Sequence, residues 1–111
     1  MKQIVAVVRP FVAEAIVHRL HALPTVEAVQ VLEAKGFGRQ KTYLDRYSQS
    51  EFSLAFLPKV EISVFVDNDD DVETVIETIS QCARSGRRGD GKIHVLPLNE
   101  FVDVTVEDPK P

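Results

Sequence analysis

Only one cysteine, Cys82, occurs in the 111-residue chain. An intrachain disulfide and a multi-cysteine zinc site are thereby excluded, and Cys82 reads as a small apolar residue of a helix. No apolar run approaches the roughly 20 residues that a spanning helix needs. Lys2 precedes an apolar run, but residues 4–8 are only a strand's length and no small-residue cleavage site follows, so a cytoplasmic protein without direct membrane insertion is expected. Excess positive charge is missing as well. Seventeen acids against thirteen lysines and arginines leave a net −4, which removes any general attraction to phosphate backbones, and no nucleic-acid partner is expected. Internal repeats and low-complexity tracts are absent. What remains, 44% apolar and 27% charged residues, suits a single globular domain over residues 1–111, a size at which folding hides about two-thirds of the unfolded chain's surface.

Residues 4–8 form a continuous β-branched run, the pattern of a strand covered on both faces, and Arg9-Pro10 ends it. Val12, Ile16, Leu20 and Leu23 then share one helical face, closed by Pro24. Partial alternation through Val29 and Val31 predicts a second strand over residues 26–34, broken by Gly36 and Gly38. Val60, Ile62, Val64 and Val66 alternate as a third strand. A second helix carries Val72, Val75, Ile76, Ile79 and Ala83 on one face, and the acidic stretch 67–71 before it is placed to cap that helix and meet its dipole. A calcium-loop reading of Asp67, Asp69 and Asp71 lacks the loop glycine and the distal glutamate. A glycine-rich basic loop over residues 84–92 leads into a fourth strand with Ile93 and Val95 on one face, and a short final strand is expected over 101–106, within a C-terminal strand and tail at 101–111.

This β-α-β-β-α-β order predicts an α+β, ferredoxin-like fold: a four-stranded antiparallel sheet with two helices on one face. Val and Ile fill both faces of the first strand, so the helix-free face requires cover too, most simply from other subunits. The connection at about 37–57 is long for so small a domain and has no period of either kind. A Gly-rich opening, two tyrosines and several charges, between two well-patterned strands, mark it as functional.

Three segments, in order, resemble the PII signal-transduction proteins: Lys35-Gly36-Phe37-Gly38-Arg39-Gln40-Lys41, Phe56-Leu57-Pro58-Lys59-Val60, and Ser85-Gly86 with Gly89-Asp90-Gly91-Lys92-Ile93. Met1-Lys2 and Arg9-Pro10-Phe11 fit the same pattern, and the likeness runs to about residue 101 with one extra residue near the acidic stretch. The resemblance implies a homotrimer with a projecting T-loop (about 37–57) and nucleotide sites between subunits. It also implies a non-enzymatic sensor of ATP against ADP and, with Mg²⁺ and ATP, of 2-oxoglutarate. Such a protein presents its T-loop to a regulated enzyme, a transcription regulator or a membrane transporter of nitrogen metabolism.

Glycines let backbone N–H groups approach anions closely, and both glycine loops carry cations. By resemblance, Gly36, Gly38, Arg39, Arg88, Gly89, Asp90, Gly91 and Lys92 form the nucleotide site. Arg9, Gln40, Lys41 and Lys59 form the 2-oxoglutarate site, with Gln40 also on Mg²⁺. A dianionic acid needs positive charge at both ends, which Lys59, Arg9 and a bridging metal supply. Tyr43, Tyr47 and Phe52 are the aromatic candidates for partner contact, and Ser50 for modification. Several positions depart from the family pattern. Asp103 and Thr105 replace two arginines on the last strand; each lost charge-assisted hydrogen bond contributes about 1.5–3 kcal/mol, a roughly ten- to hundredfold weakening of ATP. Ala28, Gln30 and Ser63 alter the adenine side, Phe52 stands where a modifiable tyrosine is usual, and Ser48 replaces a channel-entering arginine. The alternative reading is therefore a PII-like trimeric scaffold with weakened ATP binding, which senses ADP, AMP or another small molecule, or acts only as a protein-interaction module.

Two other classes share the chain order. An acylphosphatase would need an asparagine beside a basic glycine loop, and the only asparagines, Asn68 and Asn99, are placed elsewhere. An RNA-recognition sheet displays aromatics on its central strands, of which this chain has only Phe65. His18 and His21, three apart on the first helix, read as solvated side chains without a third metal ligand.

Overall fold

A computed structural model describes residues 1–36, 57–86 and 89–104. It contains β1 (Lys2–Val8), α1 (Pro10–His21), β2 (Val26–Gly36), β3 (Leu57–Val66), α2 (Val72–Ala83) and β4 (Gly91–Pro97). The four strands form one antiparallel sheet in the order β2-β3-β1-β4, the ferredoxin-like arrangement.

Local chemistry explains the boundaries. Pro10 occupies the first turn of α1, where its missing N–H costs nothing. The helix ends at His21 rather than continuing to Leu23, because the Leu23 N–H turns onto Leu20 O at 3.0 Å and closes the chain into a turn. Before α2, Asn68 rather than an aspartate provides the cap: its Oδ1 accepts the Asp70 N–H at 2.9 Å and starts a single 3-10 turn, while Asp71 makes no side-chain cap to α2. The acidic residues supply favourable charge at that end, and Asp69 meets the N-terminal ammonium at 3.6 Å.

Ile4, Ala6 and Val8 of β1 stand opposite Val64, Ile62 and Val60 of β3, and all six join Ile16, Leu20, Val75 and Ile79 in the core between sheet and helices. A one-residue slip would turn this entire set to the other face, so the register is held by burial itself. The opposite face carries Val5, Ser63 and Phe65, all buried. Phe101 covers Phe65 with ring centroids 5.4 Å apart. Residues 101–104 are not a strand, contrary to expectation: they cross Phe65 by a ring contact instead of pairing along the sheet. The rest of that expected strand lies outside the described residues. Leu32, on the same helix-free face, remains 60% exposed, and Leu96 41%, so the described residues cover that face only in part.

The ladder between β2 and β3 runs on to Gly36 opposite Leu57, so the two strands are longer than their alternation indicated and the segment between them leaves and returns at one point. Pro58 is tolerated there because the pairing of β3 with β1 has already stopped at Val60. No helix among the described residues is long and apolar enough to cross a membrane.

Candidate functional site

The end of the sheet where β1 finishes, β3 begins and β4 starts gathers several of the chain's cations. Arg9 lies at the N-cap position of α1 in extended backbone. Its Nη2 donates to Ala83 O at 3.0 Å and pairs with Asp90 Oδ1 at 3.3 Å. Ala83 is the last residue of α2, so Arg9 satisfies a carbonyl that the helix itself leaves open, at the end whose dipole favours a cation. The guanidinium also stands 4.7 Å from the Phe11 ring centroid. Its Nε is buried and has no hydrogen-bond partner among the described residues.

Lys59 on β3 is only 6% exposed. Its Nζ donates to Gly89 O at 3.1 Å, a carbonyl and not a carboxylate. Burial is the main force lowering its pKa below the usual lysine value; Arg9 and Lys92 add repulsion, and Asp90 partly opposes them. A nearly enclosed ammonium facing two further cations is costly unless an anion joins it.

Asp90 is engaged with its own loop. Its Oδ2 accepts the backbone N–H groups of Ser85 at 2.6 Å and Gly86 at 2.9 Å, and its Oδ1 accepts the Ser85 hydroxyl. The Ser85 hydroxyl and then the Ser85 backbone are the largest causes that pull the carboxyl down to about 2, with Gly86 and Arg9 contributing. Gly91 is required by packing: with φ at +137°, any Cβ would stand 2.5 Å from Val7 O of β1. Beside this loop lies a cavity of about 240 Å³, floored by Val8, Ile79 and Ala83 and rimmed by Arg84, Asp90 and Lys92.

Of the residues anticipated from sequence, Arg9, Lys59, Gly89, Asp90, Gly91 and Lys92 thus meet at one corner. Gly36 ends β2 at the same end of the sheet, on the opposite outer strand from Gly91. Within one chain, β3 and β1 stand between the two glycine segments. Gly38, Arg39, Gln40, Lys41, Tyr43, Tyr47, Ser48, Ser50, Phe52, Arg88 and Thr105 lie outside the described residues. Gln30 is directly opposite buried Ser63, and Ala28 opposite Phe65, so the three altered positions form one patch on the helix-free face. Asp103 is exposed. The Ser85–Asp90 brace and the Ala83 carbonyl went unnoticed in the sequence; a serine five residues before a glycine-flanked aspartate was the available signal for the first.

Other candidates stay apart from this corner. His18 and His21 edge a groove with Glu14, Val17 and Val31, and no group of three metal-ligating side chains occurs among the described residues. Cys82 packs against the core, with Arg19 Nη1 at 3.6 Å from its sulfur.

Comparison with known proteins agrees with this arrangement. The family model described as Nitrogen regulatory protein P-II matches residues 1–108. Nitrogen regulatory protein P-II of Azospirillum brasilense is 44% identical over 104 residues, 94% of this chain and 91% of its own length. The protein of the same description from Rhodospirillum rubrum is 41% identical over the same shares, and Nitrogen regulatory protein GlnK of Escherichia coli K12 is 38% identical. With a ferredoxin-like sheet, a hairpin that opens at Gly36 and closes at Leu57, and a match over nearly its whole length, the chain belongs to the P-II family of nitrogen regulatory proteins.

Proposed function

We propose that this protein is a trimeric signal-transduction protein that senses adenine nucleotide, ATP or ADP, together with 2-oxoglutarate at sites between subunits. It regulates proteins of nitrogen metabolism through the T-loop and carries out no chemistry of its own. The observation that carries this reading is Lys59: a buried ammonium bonded to a carbonyl, beside Arg9 and Lys92, at the rim of the glycine loop. Such a site attracts a small polyanion, because an incoming carboxylate offsets a burial cost that Asp90, among the described residues, only partly compensates.

The residues present fit both effectors. Arg9 and Lys59 offer charge to one dicarboxylate, and Lys92 beside Gly89 and Gly91 offers charge to a phosphate. Gln40 would be the protein's ligand for Mg²⁺, which would supply charge to neutralise the repulsion between nucleotide and acid. The placement of Gly36 and Gly91 on opposite outer strands supports nucleotide sites shared between neighbouring chains. Exposed Leu32 and Leu96 supply apolar surface for that association.

Calorimetry with ATP, ADP, AMP and 2-oxoglutarate, each with Mg²⁺, tests the reading, with light scattering for the trimer. Binding of 2-oxoglutarate only in the presence of Mg²⁺ and ATP is the expected result. No heat with any nucleotide would replace it with a scaffold that keeps the fold and serves another ligand or a protein alone, the outcome favoured if Asp103 and Thr105 have removed too much phosphate affinity.

A further inference from the structure

We infer that Lys59 takes up dissolved carbon dioxide as a carbamate, because its buried amine faces the cations Arg9 and Lys92 and pairs with no carboxylate among the described residues. The inference does not rest on the sensor reading, since it needs only the amine and its neighbours. Lys59 is 6% exposed, and its Nζ donates to Gly89 O at 3.1 Å, a bond that an N–H of the ammonium or of the neutral amine serves alike. Asp90 is the acid that acts on it, yet the Asp90 oxygens hold Ser85, Gly86 and Arg9. Burial first, then repulsion from Arg9 and Lys92, lowers the Lys59 pKa, so more of it is neutral amine than of a solvated lysine at the same pH. A desolvated lysine beside further cations is the arrangement that makes an amine nucleophilic.

The same cations choose the electrophile. Acylation leaves a neutral amide, and condensation with an aldehyde or ketone leaves an imine that is neutral or cationic; neither product gains from Arg9 and Lys92. Carbon dioxide leaves an anion, and it is small and apolar enough to reach a side chain so nearly enclosed. The lone pair of Nζ attacks the carbon and a C–N bond forms. One C=O π pair moves onto oxygen, and a proton passes from the nitrogen to water or buffer. Counted from the ammonium, the side chain loses two protons, gains one molecule of CO₂ and goes from +1 to −1. The nitrogen keeps one hydrogen for Gly89 O. The new carboxylate meets attraction from Arg9 and Lys92 where the ammonium met repulsion; Asp90 opposes it, but as one anion against two cations and itself paired with Arg9. The charge of this corner thereby answers to dissolved inorganic carbon.

The test is ¹³C NMR of the protein equilibrated with ¹³C-labelled bicarbonate and CO₂ at slightly alkaline pH, over a range of dissolved CO₂, for the wild type, Lys59→Met and Lys92→Met. A carbamate resonance, separate from those of bicarbonate and the dissolved gas, is expected in the wild type and lost in Lys59→Met; carbamate on Met1 or another lysine would survive that change. Lys92→Met should need several-fold more CO₂ for the same signal, because Lys92 both favours the neutral amine and attracts the carbamate. No carbamate resonance in the wild type, a signal of wild-type size in Lys59→Met, or an unchanged CO₂ requirement in Lys92→Met overturns the proposal. Should Lys59→Met fail to fold, the wild type decides: alkylation of the carbamate oxygen followed by peptide mass spectrometry must find the trapped CO₂ on Lys59, and a label found only on other amines, or on none, overturns it.

Discussion

Replacing Lys59 by methionine separates the demands of folding from those of binding at the one buried ammonium of the site. The side chain is 6% exposed, and among the described residues its Nζ makes one hydrogen bond, to Gly89 O at 3.1 Å. Losing that charge-assisted bond costs about 1.5–3 kcal/mol. Against it stand the desolvation of the ion, several kcal/mol even after relaxation, and repulsion from Arg9 and Lys92, which Asp90 partly offsets. Methionine is unbranched, fills much the same space and adapts its rotamer, so packing changes little. The balance favours Lys59→Met by about 1 kcal/mol, a rise in melting temperature of roughly 4–8 °C for a domain near this size. Scanning calorimetry at matched protein concentration measures it, because assembly makes melting concentration-dependent.

The pH profile identifies the cause. Lys59 has its folded pKa lowered from 10.5, so between that folded value and 10.5 the unfolded chain holds more protons and wild-type stability rises with pH. The advantage of Lys59→Met should therefore shrink across that alkaline window and persist at neutral pH. Binding of 2-oxoglutarate should vanish in the variant at every pH. A variant that melts more than about 1 kcal/mol below wild type at neutral pH, or an advantage that ignores alkaline pH, refutes the view that charge burial sets the balance.

Two further outcomes follow from the same corner. Gly91→Ala places a Cβ 2.5 Å from Val7 O at a φ of +137°, so strain of about 1–3 kcal/mol plus displacement of β4 from β1 is expected, read as a lower denaturation midpoint; an unchanged midpoint would contradict the β1–β4 packing. Asp90 should titrate near 2 instead of 3.8 when its carboxyl carbon is followed by NMR. The stability it contributes is present above about 3.8 and lost as pH falls through about 2, whereas a midpoint near 3.8 would mean that Ser85 and Gly86 do not hold it.

Periodicity carried the order of elements because each strand and helix shows its own spacing within a few turns of chain: Ile4–Val8 as a covered run, Val60 to Val66 as alternation, Val75 and Ile79 as one helical face. It did less well where the deciding contact is distant. Phe101 alternates with Asp103 and Thr105 as a strand would, yet its ring settles on Phe65 and the described residues there make no ladder. The acidic stretch marked the start of α2 correctly, but composition could not choose Asn68 over its four aspartate neighbours as the side chain with cap geometry. Motif order marked the glycine loop and Lys59 as site residues. It did not reveal that Asp90 accepts hydrogen bonds from Ser85 and Gly86 of its own loop.

The amino-acid order alone therefore determined the alternation of strands and helices, the family likeness and the types of residue available for binding anions, since all of these depend on neighbours a few positions apart. Only the tertiary structure decided which charges oppose which. Arg9 meets Ala83 across 74 positions and Lys59 meets Gly89 across 30, and those encounters exist because the pairing of β1 with both β3 and β4 brings three chain segments to one end of the sheet. A buried charge has its energy set by what surrounds it in space, and that is information no local pattern contains.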